Sequence, residues 1–79
     1  MAVITKFERF EKRTFRMQPT QVVGHFGTFG EGEQKVLQID TQGSQTREKP
    51  QKQSQTLQLT RQSAFELWRL LDEEFKFSA

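Results

Sequence analysis

In "LQLTRQSAFELWRLL", residues 57–71, the spacing of the apolar residues changes at Thr60 from that of a strand to that of a helix. Before Thr60, Leu57 and Leu59 alternate with polar residues, as in a strand with one buried face. After it, apolar residues recur at helical spacing along one stripe: Ala64, Leu67, Trp68, Leu71 and Phe75. Thr60 is placed to cap the helix with its side-chain oxygen. The sequence therefore predicts a strand that runs directly into a C-terminal amphipathic helix.

A hairpin is predicted upstream, from two segments separated by glycines. The second segment, "KVLQIDTQ", alternates so that Leu37 and Ile39 face inward. The first, "TQVVGHFGTFG", is rich in β-branched and aromatic residues, which favour strands. Gly30 and Gly32 in the connection can adopt the positive φ that a short hairpin loop needs. The expected strands are residues 21–29 and 34–42.

The first strand is predicted from "RTFRMQ", where Phe15 and Met17 alternate with polar residues before Pro19 interrupts the pattern. We expect this strand at about residues 12–18. The fold class is then α+β, with the order β-β-β-β-α: a four-stranded antiparallel curved sheet followed by one C-terminal amphipathic helix. Residues 1–11 are interpreted as an N-terminal arm and residues 12–79 as a single domain.

A chain of 79 residues has a marginal core, since a domain of this size buries only about 60% of the surface that its unfolded chain exposes. It contains no cysteine, so disulfides cannot supplement that core. Small domains without such cross-links commonly associate. The broad apolar surface of the helix therefore predicts a homodimer through the helix. The residues assigned to this interface are Phe65, Trp68, Leu71 and Phe75.

Enzyme chemistry has little support in the sequence. His25 is the only histidine, and no nucleophile, zinc or phosphate-loop motif is present. The consecutive acids 72–74 are interpreted as a solubilising face. We therefore expect no catalysis, cofactor, metal or small-molecule substrate. The chain also lacks an apolar run of membrane-spanning length and a signal peptide, which predicts a soluble cytoplasmic protein without membrane association.

The charged residues are unevenly spread, although the formal net charge is only +2. Residues 1–16 carry five cations against two glutamates, and residues 47–61 carry four cations against one glutamate. Local basic zones attract a phosphate backbone. Runs of charge are more often ordinary solvated faces, so charge alone does not decide between the two interpretations.

Aromatic residues interleave with these cations, as in proteins that track phosphates along a positive groove and stack bases on aromatic rings. The residues assigned to such a site are Arg13, Phe15, Arg16, Phe29, Lys35, Arg47, Lys49 and Lys52. The alternative for the phenylalanines is a place in the core, which we favour for Phe26. The predicted function is non-catalytic single-stranded nucleic-acid binding by a basic, aromatic-lined sheet surface. The alternative function is a small regulatory module that binds another protein through its apolar helix or a sheet edge.

The order of four strands and a helix, with a long polar loop before the last strand, resembles the positive-cofactor-four family of transcriptional coactivators and its bacterial single-stranded DNA-binding relatives. The resemblance is carried by "KVLQID" at 35–40 and by "LQLTRQSAFELWRLL" at 57–71. It implies a homodimer whose helices pack across a two-fold axis and whose curved sheets present a basic, aromatic channel to single-stranded DNA. It also implies that Lys35 and Lys52 hold phosphates.

Overall fold

A computed structural model describes residues 1–41 and 55–78 of the chain. These residues form a four-stranded sheet and one helix. The strands are β1 (Ala2–Ile4), β2 (Gly24–Phe29), β3 (Val36–Thr41) and β4 (Gln55–Leu59), and the helix is α1 (Arg61–Phe75). Within the described parts, no helix is long and apolar enough to cross a membrane.

The strands lie side by side in the order β1-β4-β3-β2. The pairs β2–β3 and β3–β4 are antiparallel, whereas β1 runs parallel to β4 with Ala2 opposite Leu57 and Ile4 opposite Leu59. The α+β class and the terminal helix are confirmed. The expectation of a purely antiparallel sheet is wrong, because the sheet is mixed.

The first strand lies in a different place from the predicted one. Residues 12–18 form no strand and are exposed, while Ala2–Ile4, at the start of the predicted arm, pairs with β4. The β-branched Val3 and Ile4 suit a pleated surface, and Ile4 lies beside the buried end of β4. Residues 12–18 alternate but pair with no strand of the described sheet, and the Phe15 ring contacts Phe10 and Arg13.

The predicted hairpin is confirmed in β2 and β3. Phe29 pairs with Val36, and the connection contains a short 3₁₀ turn at Gly32–Gln34. Gly30 and Gly32 both have positive φ, at 86° and 56°, as the loop requires. Strand β2 begins at Gly24 instead of residue 21, β3 begins at Val36 instead of residue 34, and residue 42 lies outside the described residues.

Because side chains alternate along strands, the register gives the sheet two distinct faces. One carries Leu37, Leu59 and Thr28, which line a groove together with helix residues, and we call it the helix face. The opposite side, called the open face, carries polar side chains on β3 and β4, two aromatic rings on β2 and two valines. Its residues are Val3, His25, Gly27, Phe29, Val36, Gln38, Asp40, Thr56 and Gln58.

Helix α1 begins as predicted. The Ser63 N–H donates to Thr60 Oγ1 at 3.2 Å, and the Thr60 N–H donates to Ser63 Oγ at 2.9 Å, so the two residues cap the helix reciprocally. The sheet-facing side of the helix carries the fully buried Ser63 and the half-buried Leu67 and Leu70. The predicted apolar stripe is therefore only partly turned inward.

The core of the described chain is small. Leu59, at 3% exposure, is its only buried apolar residue. On the outer side of the helix, Trp68 and Phe75 remain 63% and 62% exposed. The single chain thus leaves apolar surface uncovered that a larger domain would bury.

Candidate nucleic-acid interface

The predicted binding residues fall into three separate places. Arg13, Phe15 and Arg16 lie together in residues 5–23, which connect β1 with β2 and are called the arm from here on. Phe29 lies on the open face of the sheet, and Lys35 lines the groove on the opposite side. Three further predicted cations lie outside the described residues: Arg47, Lys49 and Lys52.

The arm contains a compact group of side chains, Phe10, Arg13, Phe15 and Arg16, which we call the arm cluster. The rings of Phe10 and Phe15 meet edge to face with their centroids 5.3 Å apart. The Arg13 guanidinium lies 4.7 Å from the Phe10 centroid and 5.9 Å from that of Phe15. Such contacts hold a guanidinium in place without neutralising its charge.

The arm cluster is open to solvent. Phe10 is 58% exposed and Phe15 is 64% exposed, and the cluster borders a hollow of about 450 Å³. Neither Arg13 nor Arg16 takes part in the ion pairs found among residues 1–41 and 55–78. The cluster thus presents aromatic surface and positive charge at one place.

The start of the arm is fixed against the helix. The Phe7 N–H donates to Glu66 Oε1 at 3.0 Å, and Arg9 Nη2 lies 2.8 Å from Glu74 Oε2. Glu66 also accepts from the Gln62 side chain at 3.3 Å. Sequence reasoning missed the roles of Glu66 and Glu74, because no local pattern joins residues so far apart in the chain.

The open face carries a hydrogen-bonded row of side chains across β4 and β3, which we call the polar ladder. Gln58 Nε2 donates to Gln38 Oε1 at 2.9 Å. Gln38 Nε2 in turn donates to Asp40 Oδ1 at 3.2 Å, and Thr56 Oγ1 donates to the same oxygen at 2.8 Å. Two of these donors, on Gln38 and Thr56, end on Asp40, and Gln58 holds Gln38 in place, so the Asp40 carboxylate is held from two sides.

Beside the ladder, strand β2 leaves a gap at Gly27. His25 and Phe29 occupy the neighbouring positions on the same face, and Gly27 lies opposite Gln38. These residues and Asp40 border a shallow hollow of about 360 Å³. A ligand in this hollow would contact aromatic surface, amide groups and one carboxylate.

The groove on the helix side is the largest of the three hollows, at about 750 Å³. Its floor is apolar, from Leu37 and Leu59, and the helix contributes Phe65 and Trp68. Lys35 lies at its edge. It is therefore a mainly apolar surface, unlike the open face.

The predicted dimer residues lie on or beside the outer side of the helix. Phe65, Trp68 and Phe75 are exposed, and Leu71 is half-buried. The rings of Phe65 and Trp68 are in contact, with centroids 5.7 Å apart.

In the described chain, no group of three or more His, Cys, Asp or Glu side chains converges as a metal site would require.

Comparison of the chain with protein-family models, with curated proteins and with solved structures gave no match.

Proposed function

We propose that this protein binds single-stranded nucleic acid without catalysing a reaction. The observation that carries the proposal is the arm cluster, where two exposed phenylalanine rings flank an arginine that has no carboxylate partner among the described residues. Stacking of a base on an aromatic ring contributes about 1–3 kcal/mol, and cations beside it hold the phosphates. Bases in a duplex are already stacked, so exposed rings favour single strands.

The charge distribution supports the same proposal. Two of the arm's cations, Lys6 and Arg9, are paired with glutamates, whereas Arg13 and Arg16 remain for an external anion within the described chain. Additional cations belong to the second basic zone of the sequence, residues 47–61. No membrane surface or small-molecule substrate is part of this proposal.

We further propose that the chain belongs to the family it resembles and that it forms a homodimer. The resemblance to the positive-cofactor-four family implies a homodimer, and the exposed side of the helix supports one. Ala64, Trp68, Leu71 and Phe75 follow one another at spacings of four, three and four residues, which is the repeat of a helix–helix seam.

The test is fluorescence anisotropy with a labelled oligo(dT) and a duplex of matched length, at low and moderate salt. We expect micromolar or tighter binding to the single strand and weaker binding to the duplex. The logarithm of the affinity should fall linearly with the logarithm of the salt concentration, because bound phosphates release counterions. Absence of single-strand binding at micromolar protein and low salt would contradict the proposal.

A matched pair of variants locates the site. Arg13→Ala with Arg16→Ala should weaken oligo(dT) binding at least about tenfold and reduce the salt slope by roughly two. The control, Arg69→Ala with Lys76→Asn, removes the same charge from exposed positions outside both basic zones, and asparagine tolerates the left-handed backbone of residue 76. If both double variants lose the same affinity, only net charge matters and the arm is not the site.

A second candidate function is protein binding through the apolar surface on the helix face. The register aligns one row across all four strands, Ala2, Leu57, Ile39 and Phe26, and Phe26 at its end is 78% exposed. An apolar interface of this kind should respond weakly to salt. Binding of a protein partner that survives moderate salt, in a chain that ignores oligonucleotides, would favour this candidate.

A further inference from the structure

Neither the backbone conformation nor the packing within the single chain requires a glycine at position 27. Its backbone has no positive φ, and a Cβ added there would meet nothing within 4 Å. Glycine weakens a strand relative to residues with a side chain. What Gly27 provides is free space on the open face, midway along the edge strand β2.

The surroundings of that space are suited to a planar ring. His25 and Phe29 stand on either side of Gly27 on the same face, about 13 Å apart along the strand at roughly 3.3 Å per residue. Gln38 lies opposite Gly27, and Asp40 lies opposite His25. A base placed over Gly27 would therefore have aromatic side chains beside it and hydrogen-bonding groups at one edge.

The carboxylate at that edge accepts hydrogen bonds and cannot donate them. Among the described residues, Asp40 accepts from Thr56 and from one shared amide of Gln38. An ionised carboxyl group offers about four acceptor sites, which leaves roughly two for a ligand. Negative charge also disfavours a phosphate here, so a nucleic acid would meet this surface with a base edge and keep its backbone away.

The four DNA bases differ in what they offer to such a carboxylate. On its pairing edge, guanine has two adjacent donors, N1–H and the N2 amino group. Adenine and cytosine each have one amino group next to an acceptor, and thymine has one N–H between two acceptors. Two parallel hydrogen bonds to a carboxylate are a strong and geometrically specific arrangement.

We propose that the gap over Gly27 holds one base of a single strand and that Asp40 makes this position selective for guanine. The inference rests on the proposed single-strand binding and adds a base preference, at a place separate from the arm cluster. Gln38 lies next to Asp40 at the same edge of the base, and the Phe29 ring lies beside the base.

The test compares labelled single strands in anisotropy: oligo(dT), the same strand with three guanines separated by thymines, and that strand with inosine in place of guanine. Guanine should tighten binding about tenfold, since a bidentate base contact discriminates by roughly that factor or more. Inosine lacks the N2 amino group and should lose most of the gain. A uridine strand with and without guanines shows whether the preference holds for RNA.

Two variants identify the residues responsible. Asp40→Asn should abolish the guanine preference, measured as the ratio of this variant's affinities for the guanine-containing strand and for oligo(dT). Gly27→Val should abolish it by filling the gap, and its thermal stability should not fall, because valine suits an extended strand. The control is Gly24→Val, also without neighbours within 4 Å but directed to the helix face, which should keep the preference.

The possible results separate the two proposals. Binding of oligo(dT) without a guanine preference, or a preference that both Asp40→Asn and Gly27→Val retain, overturns this inference and leaves the proposed function standing. Failure of every strand to bind at low salt overturns both.

Discussion

Gly30 is the residue at which the backbone of the hairpin is most constrained. Its φ is 86°, and a Cβ there would lie 2.5 Å from the Gln34 carbonyl oxygen. Both atoms belong to the main chain or are fixed to it, so the clash cannot be relieved by a side-chain rotation. The turn has to shift if this residue carries a side chain.

Gly30→Ala should therefore lower the free energy of unfolding by at least about 2 kcal/mol, through strain and the clash together. Gly32→Ala is the control, because Gly32 also has positive φ, at 56°, but a Cβ there meets nothing within 4 Å. It should cost only about 1 kcal/mol, the penalty of the left-handed region. Urea denaturation measures both, and equal costs would show that the contact with Gln34 does not matter.

The sequence predicted those features of single residues that depend on their near neighbours in the chain. The predictions of the Thr60 cap and of the turn glycines were correct, because each follows from a few adjacent residues. The glutamates that hold the arm were not foreseen. Their partners, Phe7 and Arg9, come close only once the sheet and helix have formed.

Among the elements, helix α1 presents the clearest surface for a second subunit. Trp68 is largely exposed in the single chain, so replacing it removes little of the chain's own packing. Trp68→Glu should therefore give a folded monomer if the helix forms the dimer seam. Sedimentation velocity over a range of concentrations measures the change.

The control is Arg69→Glu, which introduces the same negative side chain one position along, about 100° around the helix. This variant should remain dimeric. A Trp68→Glu protein that sediments as the unaltered protein does would show that the interface lies elsewhere.

For the elements, periodicity predicted the hairpin, the last strand and the helix, and it failed for the first strand. The pattern of residues 12–18 alternates like a strand, yet β1 is the shorter segment Ala2–Ile4. The reason is that a parallel partner lies far away along the chain, and local alternation carries no record of it. The polar ladder was missed likewise, since it depends on the register between β3 and β4.

For the whole molecule, the small core predicts that stability depends on association. Only Leu59 among the described apolar residues is buried, and Phe26, Trp68 and Phe75 remain open. A homodimer that covers them is stabilised by mass action, so its melting temperature should rise with protein concentration. Scanning calorimetry across a hundredfold concentration range measures this. A melting temperature that is independent of concentration would indicate a stable monomer.

The sequence predicted the residue types of the candidate site better than it predicted where those residues lie. Arginines and phenylalanines were expected to act together on one sheet surface, but Arg13 and Phe15 lie in the arm while Phe29 lies on the open face. Which cations share a surface depends on the path of residues 5–23, which form neither a helix nor a strand although residues 12–18 alternate like one.

The parallel pairing of β1 with β4 also sets the order in which the molecule can be assembled. Ala2–Ile4 is synthesised well before its partner residues 57–59. The β2–β3 hairpin can form early from neighbouring residues, whereas closing the loop between β1 and β4 has to wait and is slow for such a distant contact. The first strand to be synthesised is thus the last to pair.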